Sequence, residues 1–272
     1  MDSGKDLRNS HDEKFTGNYF QWIKSELSGW DSFPWAIFSF AAGFELAIFL
    51  LGKINLISSV SFVSTLFGLL CVVAMSARGH DGNGKVVVGH AINGLLGAIS
   101  VLGYIYINYT AGHWFSILDQ LIFFAFIDAE MLIMWRTWGR GEDQKLKTLV
   151  NFNGATTFKE KAKRYVTSKW PLIIIIILAS WFILYHIGLV LNDSNPVWDS
   201  LTLAIGATAS FLYFRRYTQT YSLWMLSNLV NLILWLTAFS RGYSQAALPM
   251  LVMTAFYNLN ALYGRWVFRQ KQ

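Results

Sequence analysis

Residues 221–235 read Tyr-Ser-Leu-Trp-Met-Leu-Ser-Asn-Leu-Val-Asn-Leu-Ile-Leu-Trp. With its apolar continuation to Phe239 the run reaches the length of about 20 residues that a helix needs to cross the hydrocarbon of a bilayer. Trp224, Asn228, Asn231 and Trp235 recur at i, i+4, i+7 and i+11, which puts all four on one face, and Tyr221 stands one turn earlier on nearly the same side. A polar side chain inside a membrane costs free energy unless it meets a partner or a cavity. Two indole rings and two amides in one line offer a flat solute a stacking surface with hydrogen-bonding groups beside it. The same amides would also serve to clamp neighbouring helices, at about 0.6 kcal/mol per bond. Sequence leaves both uses open, but either one demands a helical bundle in a membrane.

Composition agrees. The 272 residues are 54% hydrophobic, 17% aromatic and 14% charged, where soluble chains carry about a quarter of their residues as charges. Mean hydropathy is +0.38. This balance excludes a disordered chain or a fibre, and it argues against a water-soluble enzyme. Cys71 has no second cysteine to pair with, so there is no disulfide scaffold. Eight stretches are apolar and long enough to read as spans: 34–51, 56–75, 86–109, 114–135, 170–191, 198–214, 222–239 and 246–268. Trp35, Tyr109, Trp114, Trp135, Trp170 and Trp198 stand near span ends, as interfacial aromatics do. The stretch 198–214 is short and rich in Gly, Ala, Ser and Thr, so it is expected in the interior of the bundle.

Charge fixes the orientation. With both termini in the cytoplasm, all 22 basic residues fall on the inner side except Lys53 and Arg241, an asymmetry far beyond what the positive-inside rule needs. The basic loop 136–169 reads as a positive-inside loop facing anionic lipid, so no nucleic acid is expected as a partner. The polar segment 1–33 has no apolar run near Met1, and no cleavable signal peptide is expected. Within it Phe15, Tyr19, Trp22, Ile23, Leu27 and Trp30 recur at helical spacing, which fits a helix lying on the membrane surface or packed under the bundle.

Other spans carry polar residues too. The last has Thr254, Tyr257, Asn258 and Asn260; the fourth has Asp119, Gln120, Asp128 and Glu130. Asp128 and Glu130 point to opposite sides, and our reading gives Gln120 and Asp128 to a substrate and Glu130 to a helix contact, with the reverse open. Asn93 and His90, a turn apart, are candidates for the same cavity, and Glu45 is expected to meet a partner helix. There is no metal-ligand spacing, no phosphate loop and no nucleophile beside a base, so no catalytic residue, metal or cofactor is expected. A membrane sensor or a structural protein competes with a transporter of a small flat solute. Segments 56–135 and 198–268 read as two three-helix repeats joined by the linker helix 170–191, with 34–52 as an extra first helix. Asn93 and Asn228 are taken as matched in depth, as are Asp128 and Asn258, each followed by Trp135 or Trp266. Parallel repeats of this kind place a substrate at their interface near the midplane.

Trp198-Asp199-Ser200, Phe214-Arg215-Arg216-Tyr217 and the run from Tyr221 to Asn228 fall in an order and spacing that resemble the PnuC family of vitamin transporters, known for nicotinamide riboside and nicotinamide mononucleotide. Gly68-Leu69-Leu70-Cys71 and residues 120–135 resemble the family's first and third core helices, and the likeness covers about residues 57–268. The resemblance implies an all-α membrane fold with a seven-helix, three-plus-one-plus-three core related to SWEET sugar transporters, assembled as a homotrimer. It implies facilitated diffusion of a phosphate-free, nucleoside-like vitamin. Trp224 would stack on its ring, Asn228 would hydrogen-bond that ring, and Gln120 would hold the ribose or the carboxamide. Two positions depart from the family pattern: Tyr221 stands for a Trp, and Asp128 for an Asn after a one-residue shift. Both lie where substrate is expected, which leaves nicotinamide riboside, thiamine and deoxynucleosides open.

Overall fold

The structure, a computed structural model, describes residues 15, 17–80, 86–137, 147–150 and 157–269. In chain order these form α1 (Tyr19–Ser28), α2 (Ser32–Leu51), α3 (Leu56–Ser76), strands β1 (Arg78–His80) and β2 (Val86–Val88), α4 (Ile92–Ala111), α5 (Trp114–Phe123), α6 (Ala129–Ile133), α7 (Phe158–Val166), α8 (Trp170–Val190), α9 (Pro196–Phe214), α10 (Thr220–Ser240) and α11 (Ser244–Arg269). Six of them, α2, α3, α4, α8, α9 and α10, are long and apolar enough to cross a bilayer. The chain is a multi-pass, all-helical membrane protein. Two further rods are of comparable length. One is α5, which continues through a π turn at Phe124–Asp128 into α6; the other is α11, which carries Pro249 near its start.

α3, α4, α5, α9, α10 and α11 pack side by side in that order, and α11 closes back on α3. This closed ring of six is the core of the molecule. α2 lies outside it against α3 and α11, and α8 lies outside it against α9. The sequence of each helix matches its place. α8 is overwhelmingly apolar, fully buries only Ile177 and Gly188, and leaves most of its other side chains exposed on the outside of the bundle, as expected of a helix set in lipid. α9, rich in small residues, is mostly buried inside the protein, as expected of close helix packing.

Two stretches depart from the expected spans. Residues 86–109 do not run as one helix: Val86–Val88 pair antiparallel with Arg78–His80, and α4 begins only at Ile92. Consecutive valines favour extended backbone, and Gly89 follows with φ 78°, a left-handed conformation that glycine adopts without steric cost. The Gly89 and His90 amides then donate to Ala77 and Ala74, which folds the hairpin under the end of α3. The second departure is the π turn inside 114–135, where a regular helix was expected.

The aromatic segment before residue 33 packs Trp22 and Trp30 under the bundle. Asn18 and Gln21 cap α1 reciprocally. Trp22 is fully buried, with its ring 5.4 Å from that of Trp135 at the end of the α5–α6 rod. Lys147 is fixed against the α9–α10 turn, its amide donating to Arg216 O at 2.8 Å and its carbonyl accepting from Thr218 at 3.0 Å. Arg78, Arg136, Lys147, Arg215 and Arg216 therefore sit at the end of the bundle where α1 packs, whereas Lys53 and Arg241 sit at the opposite end. Lys5, Arg8, Lys14, Lys85, Arg140, Lys145 and Lys271 lie outside the described residues.

Candidate functional site

The six-helix ring encloses a cavity in which the centres of water-sized molecules have about 120 Å³ to occupy. Every helix of the ring contributes to its wall: Gly68 and Cys71 from α3, Ser100 and Tyr104 from α4, Asp119 and Gln120 from α5, Thr202 and Gly206 from α9, Trp224, Asn228 and Asn231 from α10, Thr254 and Tyr257 from α11. Gly68 has a steric reason to lack a side chain. A Cβ there would lie 2.6 Å from the Tyr257 hydroxyl, and the Tyr104 hydroxyl would collide with it.

α5 and α10 cross the site in opposite directions and touch at two aromatic pairs. Phe123 meets Trp224 at 6.4 Å between ring centroids, and His113, in the turn before α5, meets Trp235 edge-on at 5.0 Å. With a rise of 1.5 Å per residue, these contacts lie about 16 Å apart along α10. Between them α5 presents Ser116, Asp119 and Gln120, and α10 presents Asn228 and Asn231. The cavity is thus a polar layer held between two aromatic layers.

The Trp224 ring is half-exposed to this space and braced from behind, with Tyr213 at 5.0 Å and Tyr221 edge-on at 5.4 Å. Tyr221, expected to touch substrate, touches the cavity with only 2% of its surface exposed, and its hydroxyl donates to Met75 O at 3.2 Å. Its part is to hold Trp224. The side-chain amides of Gln120, Asn228 and Asn231 are half-exposed in the cavity wall and have no hydrogen-bond partner among the described residues. Polar groups of this kind are satisfied by water or by a ligand.

Four other candidates are placed differently. Asn260 reaches the wall, but its amide donates to Val72 O at 2.7 Å and accepts from Ser76 Oγ at 2.7 Å, clamping α11 to α3. Asn258 donates to Thr254 O of its own helix at 3.3 Å and does not line the cavity. Asn93 is fully buried away from the cavity, and its match in depth with Asn228 fails: it stands at the start of α4, whereas Asn228 lies about two turns into α10. The α4 residue at that depth is Ser100, which does line the cavity. Asp128 is fully buried against α4, its carboxylate occupying the space that a Cβ on Gly97 would need. Helical phase was carried to Asp128 through residues 124–128, and the π turn there breaks the α-helical spacing. Glu130 is also absent from the wall. The carboxylate that does face the cavity is Asp119, which the sequence reading named without giving it a role.

His90 lies away from the cavity too, with its Nδ1 3.5 Å from Glu26 Oε2 of α1. Glu45 is buried beside Thr65 where α2 meets α3. Asp199 of the Trp-Asp-Ser triplet proves to be a joint. Its carboxylate accepts from the backbone N–H of Phe115 at 2.7 Å and of Ser116 at 2.9 Å and from the Ser116 hydroxyl, so α9 caps the start of α5. Asp193 accepts likewise from Trp114 N at 3.0 Å.

Among the described residues no Lys, Arg or His lines the cavity, and no group of His, Cys, Asp and Glu could hold a metal. An aromatic face, free amides and one carboxylate suit a flat, neutral or cationic solute and provide nothing to balance an anion. Comparison with known proteins identifies the family. Residues 58–270 match the family described as Nicotinamide mononucleotide transporter. The nicotinamide riboside transporter PnuC of Neisseria mucosa is 28% identical over 248 residues, 89% of this chain and 83% of that protein. The crystal structure of the vitamin B3 transporter PnuC has the same fold, with a TM-score of 0.67 at 22% identity over 93% of this chain and 97% of that one. The family match begins within the first turn of α3 and takes in all six helices around the cavity, so the chain belongs to the nicotinamide mononucleotide transporter family, a family of membrane transporters.

Proposed function

We propose that the protein carries a phosphate-free, nucleoside-like vitamin of the nicotinamide riboside class across the plasma membrane by facilitated diffusion. The observation that carries this reading is the half-buried Trp224 in the cavity wall beside three amides, Gln120, Asn228 and Asn231, that have no hydrogen-bond partner among the described residues. Trp224 stacks on the base ring, Asn228 and Asn231 hydrogen-bond it, and Gln120 holds the ribose or the carboxamide. A mononucleotide would bring a phosphate into a cavity lined by no cation among the described residues, where an unpaired charge is costly. The riboside named for the Neisseria relative fits better than the mononucleotide named for the family.

The same reading extends to architecture. Eight spans cross the membrane: α2 as an extra first helix, then α3, α4 and α5–α6 as one repeat, α8 as linker, and α9, α10 and α11 as the second repeat. The end bearing α1 and the basic residues is cytoplasmic, with both termini, and the resemblance supports a homotrimer with one pathway per subunit. Calorimetric titration of the purified protein with nicotinamide riboside, thiamine, thymidine and deoxyadenosine tests the substrate. Heat with nicotinamide riboside is expected, weakened in Trp224→Ala by about 1–3 kcal/mol of lost stacking. Asn228→Leu should damage selection as well as affinity. Parental binding by both variants would make the α10 stripe a packing face, heat with a deoxynucleoside alone would redirect the pocket, and silence with all four would favour a sensor.

A further inference from the structure

We propose that Asp119 is the charge selector of this cavity, favouring solutes whose aromatic ring is positively charged over neutral rings of the same shape; this rests on the cavity being the site of a nucleoside-like solute. Asp119 stands on α5 immediately before Gln120, between the Phe123–Trp224 and His113–Trp235 contacts, in the layer that holds Asn228. Its Oδ1 is buried and has no hydrogen-bond partner among the described residues. Across from it on α9 is Gly206, where a Cβ would collide with the carboxylate, so the smallest residue stands where the acid needs room.

Among the described residues, the rest of the wall offers no counter-charge. Apart from Asp119, the polar groups lining the cavity among the described residues are amides, hydroxyls, indole N–H groups and a thiol, which hydrogen-bond to charged and uncharged solutes alike. An acid left unpaired at this depth in a bundle is expensive as an anion; it is relieved by taking up a proton or by a cation that enters from outside, and a cationic ring beside it favours the ionised form. Phe123, one turn further along α5, is the residue that touches Trp224. A ring stacked on Trp224 therefore lies beside the α5 face that carries the carboxylate, and the indole adds its own attraction for a cationic ring. Chemistry then sorts the candidate solutes. Nicotinamide riboside has a quaternary pyridinium and thiamine a thiazolium, each permanently charged, whereas the bases of deoxynucleosides are neutral.

The test compares nicotinamide riboside with its 1,4-dihydro form, which has the same heavy atoms and no ring charge. The full-length purified protein should bind the cation at least about tenfold more tightly. Asp119→Asn should lose most of that ratio by weakening the cation, with the dihydro form within about twofold of the parent, and Asp119→Glu should keep the preference. Equal binding of the two forms by the parent overturns the proposal without any variant. An unchanged ratio in Asp119→Asn overturns it too and assigns the preference to Trp224, leaving the substrate reading intact. Thiamine and thymidine are titrated alongside. Binding of thiamine but neither riboside overturns the substrate reading and supports the charge selector, binding of thymidine alone overturns the selector, and silence with every probe overturns both.

Discussion

Replacing Asp199 separates a structural joint from a substrate contact. The Trp-Asp-Ser triplet is among the features that carry the family resemblance, so a binding role is the first one to test for it. The geometry gives it a different task. Asp199 is fully buried and accepts from two backbone N–H groups and one hydroxyl at the start of α5, joining α9 to α5 where the two halves of the ring meet. Asp199→Ala removes all three bonds and leaves the donors in the protein interior. A buried donor without a partner costs about 1–3 kcal/mol and a lost helix cap about 1 kcal/mol. Because these losses overlap, about 3–5 kcal/mol is the expected total. At about 2–4 °C per kcal/mol for a chain of this size, the melting temperature should fall by about 10 °C. Asp199→Asn keeps one acceptor oxygen and should fall about half as far. Thermal unfolding in detergent reads the first quantity, and titration with nicotinamide riboside well below the melting temperature reads the second. Affinity should change by less than about threefold, since Asp199 does not line the cavity. An unchanged melting temperature with lost binding would refute the reasoning and return the triplet to the substrate.

Other perturbations follow from single features. Trp22→Ala empties the fully buried indole site under the bundle and should cost about 3–5 kcal/mol, read as a fall in melting temperature; a neutral result would mean that α1 only rests on the surface. His113, in the turn between α4 and α5, is held by burial at a pKa of about 4, below its ordinary value. Its unfolded form therefore takes up the proton first, so stability is full above about pH 6.5 and falls as pH drops towards 4, by up to about 3 kcal/mol. His113→Gln should flatten the parent's acid slope in melting temperature measured across that window. Two glycines make an internal control. A Cβ at Gly43 of α2 meets nothing within 4 Å, so Gly43→Ala should stabilise by about 0.5–1 kcal/mol. One at Gly94 would lie 2.7 Å from Asp128 O and 2.8 Å from Met131 Cβ, so Gly94→Ala should destabilise by about 1–3 kcal/mol.

Much of this was legible in the chain because bilayer physics writes long signals. Apolar runs, interfacial aromatics and a one-sided distribution of basic residues each extend over tens of residues and tolerate local exceptions. The α10 stripe survived for a similar reason: it lies in one uninterrupted helix, so 3.6 residues per turn predicts its face from Trp224 to Trp235. Failures came where regularity broke. Residues 86–88 are as apolar as any span, and hydropathy does not distinguish a strand folded under α3 from a helix. Asp128 was placed by carrying phase through a π turn that no residue type in 124–128 announces.

The amides divide in a way that residue identity does not foretell. Asn228 and Asn260 are the same side chain, both in the cavity wall, and opposite in use. Asn260 finds the Val72 carbonyl and the Ser76 hydroxyl on α3. Asn228 finds no such partner among the described residues. The difference is set by the neighbouring helix, a fact of tertiary packing that a periodic pattern on one helix does not contain. It also fixes what each substitution means. Asn260→Leu strips two hydrogen bonds from a helix–helix contact and should cost about 1–3 kcal/mol of stability, read as a fall in melting temperature, while a bound ring is still recognised. Asn228→Leu removes no bond from the empty protein, so its melting temperature should hold while recognition fails. A fall in stability for Asn228→Leu matching that for Asn260→Leu would mean that Asn228 also fastens helices, which would count against its proposed part in recognition.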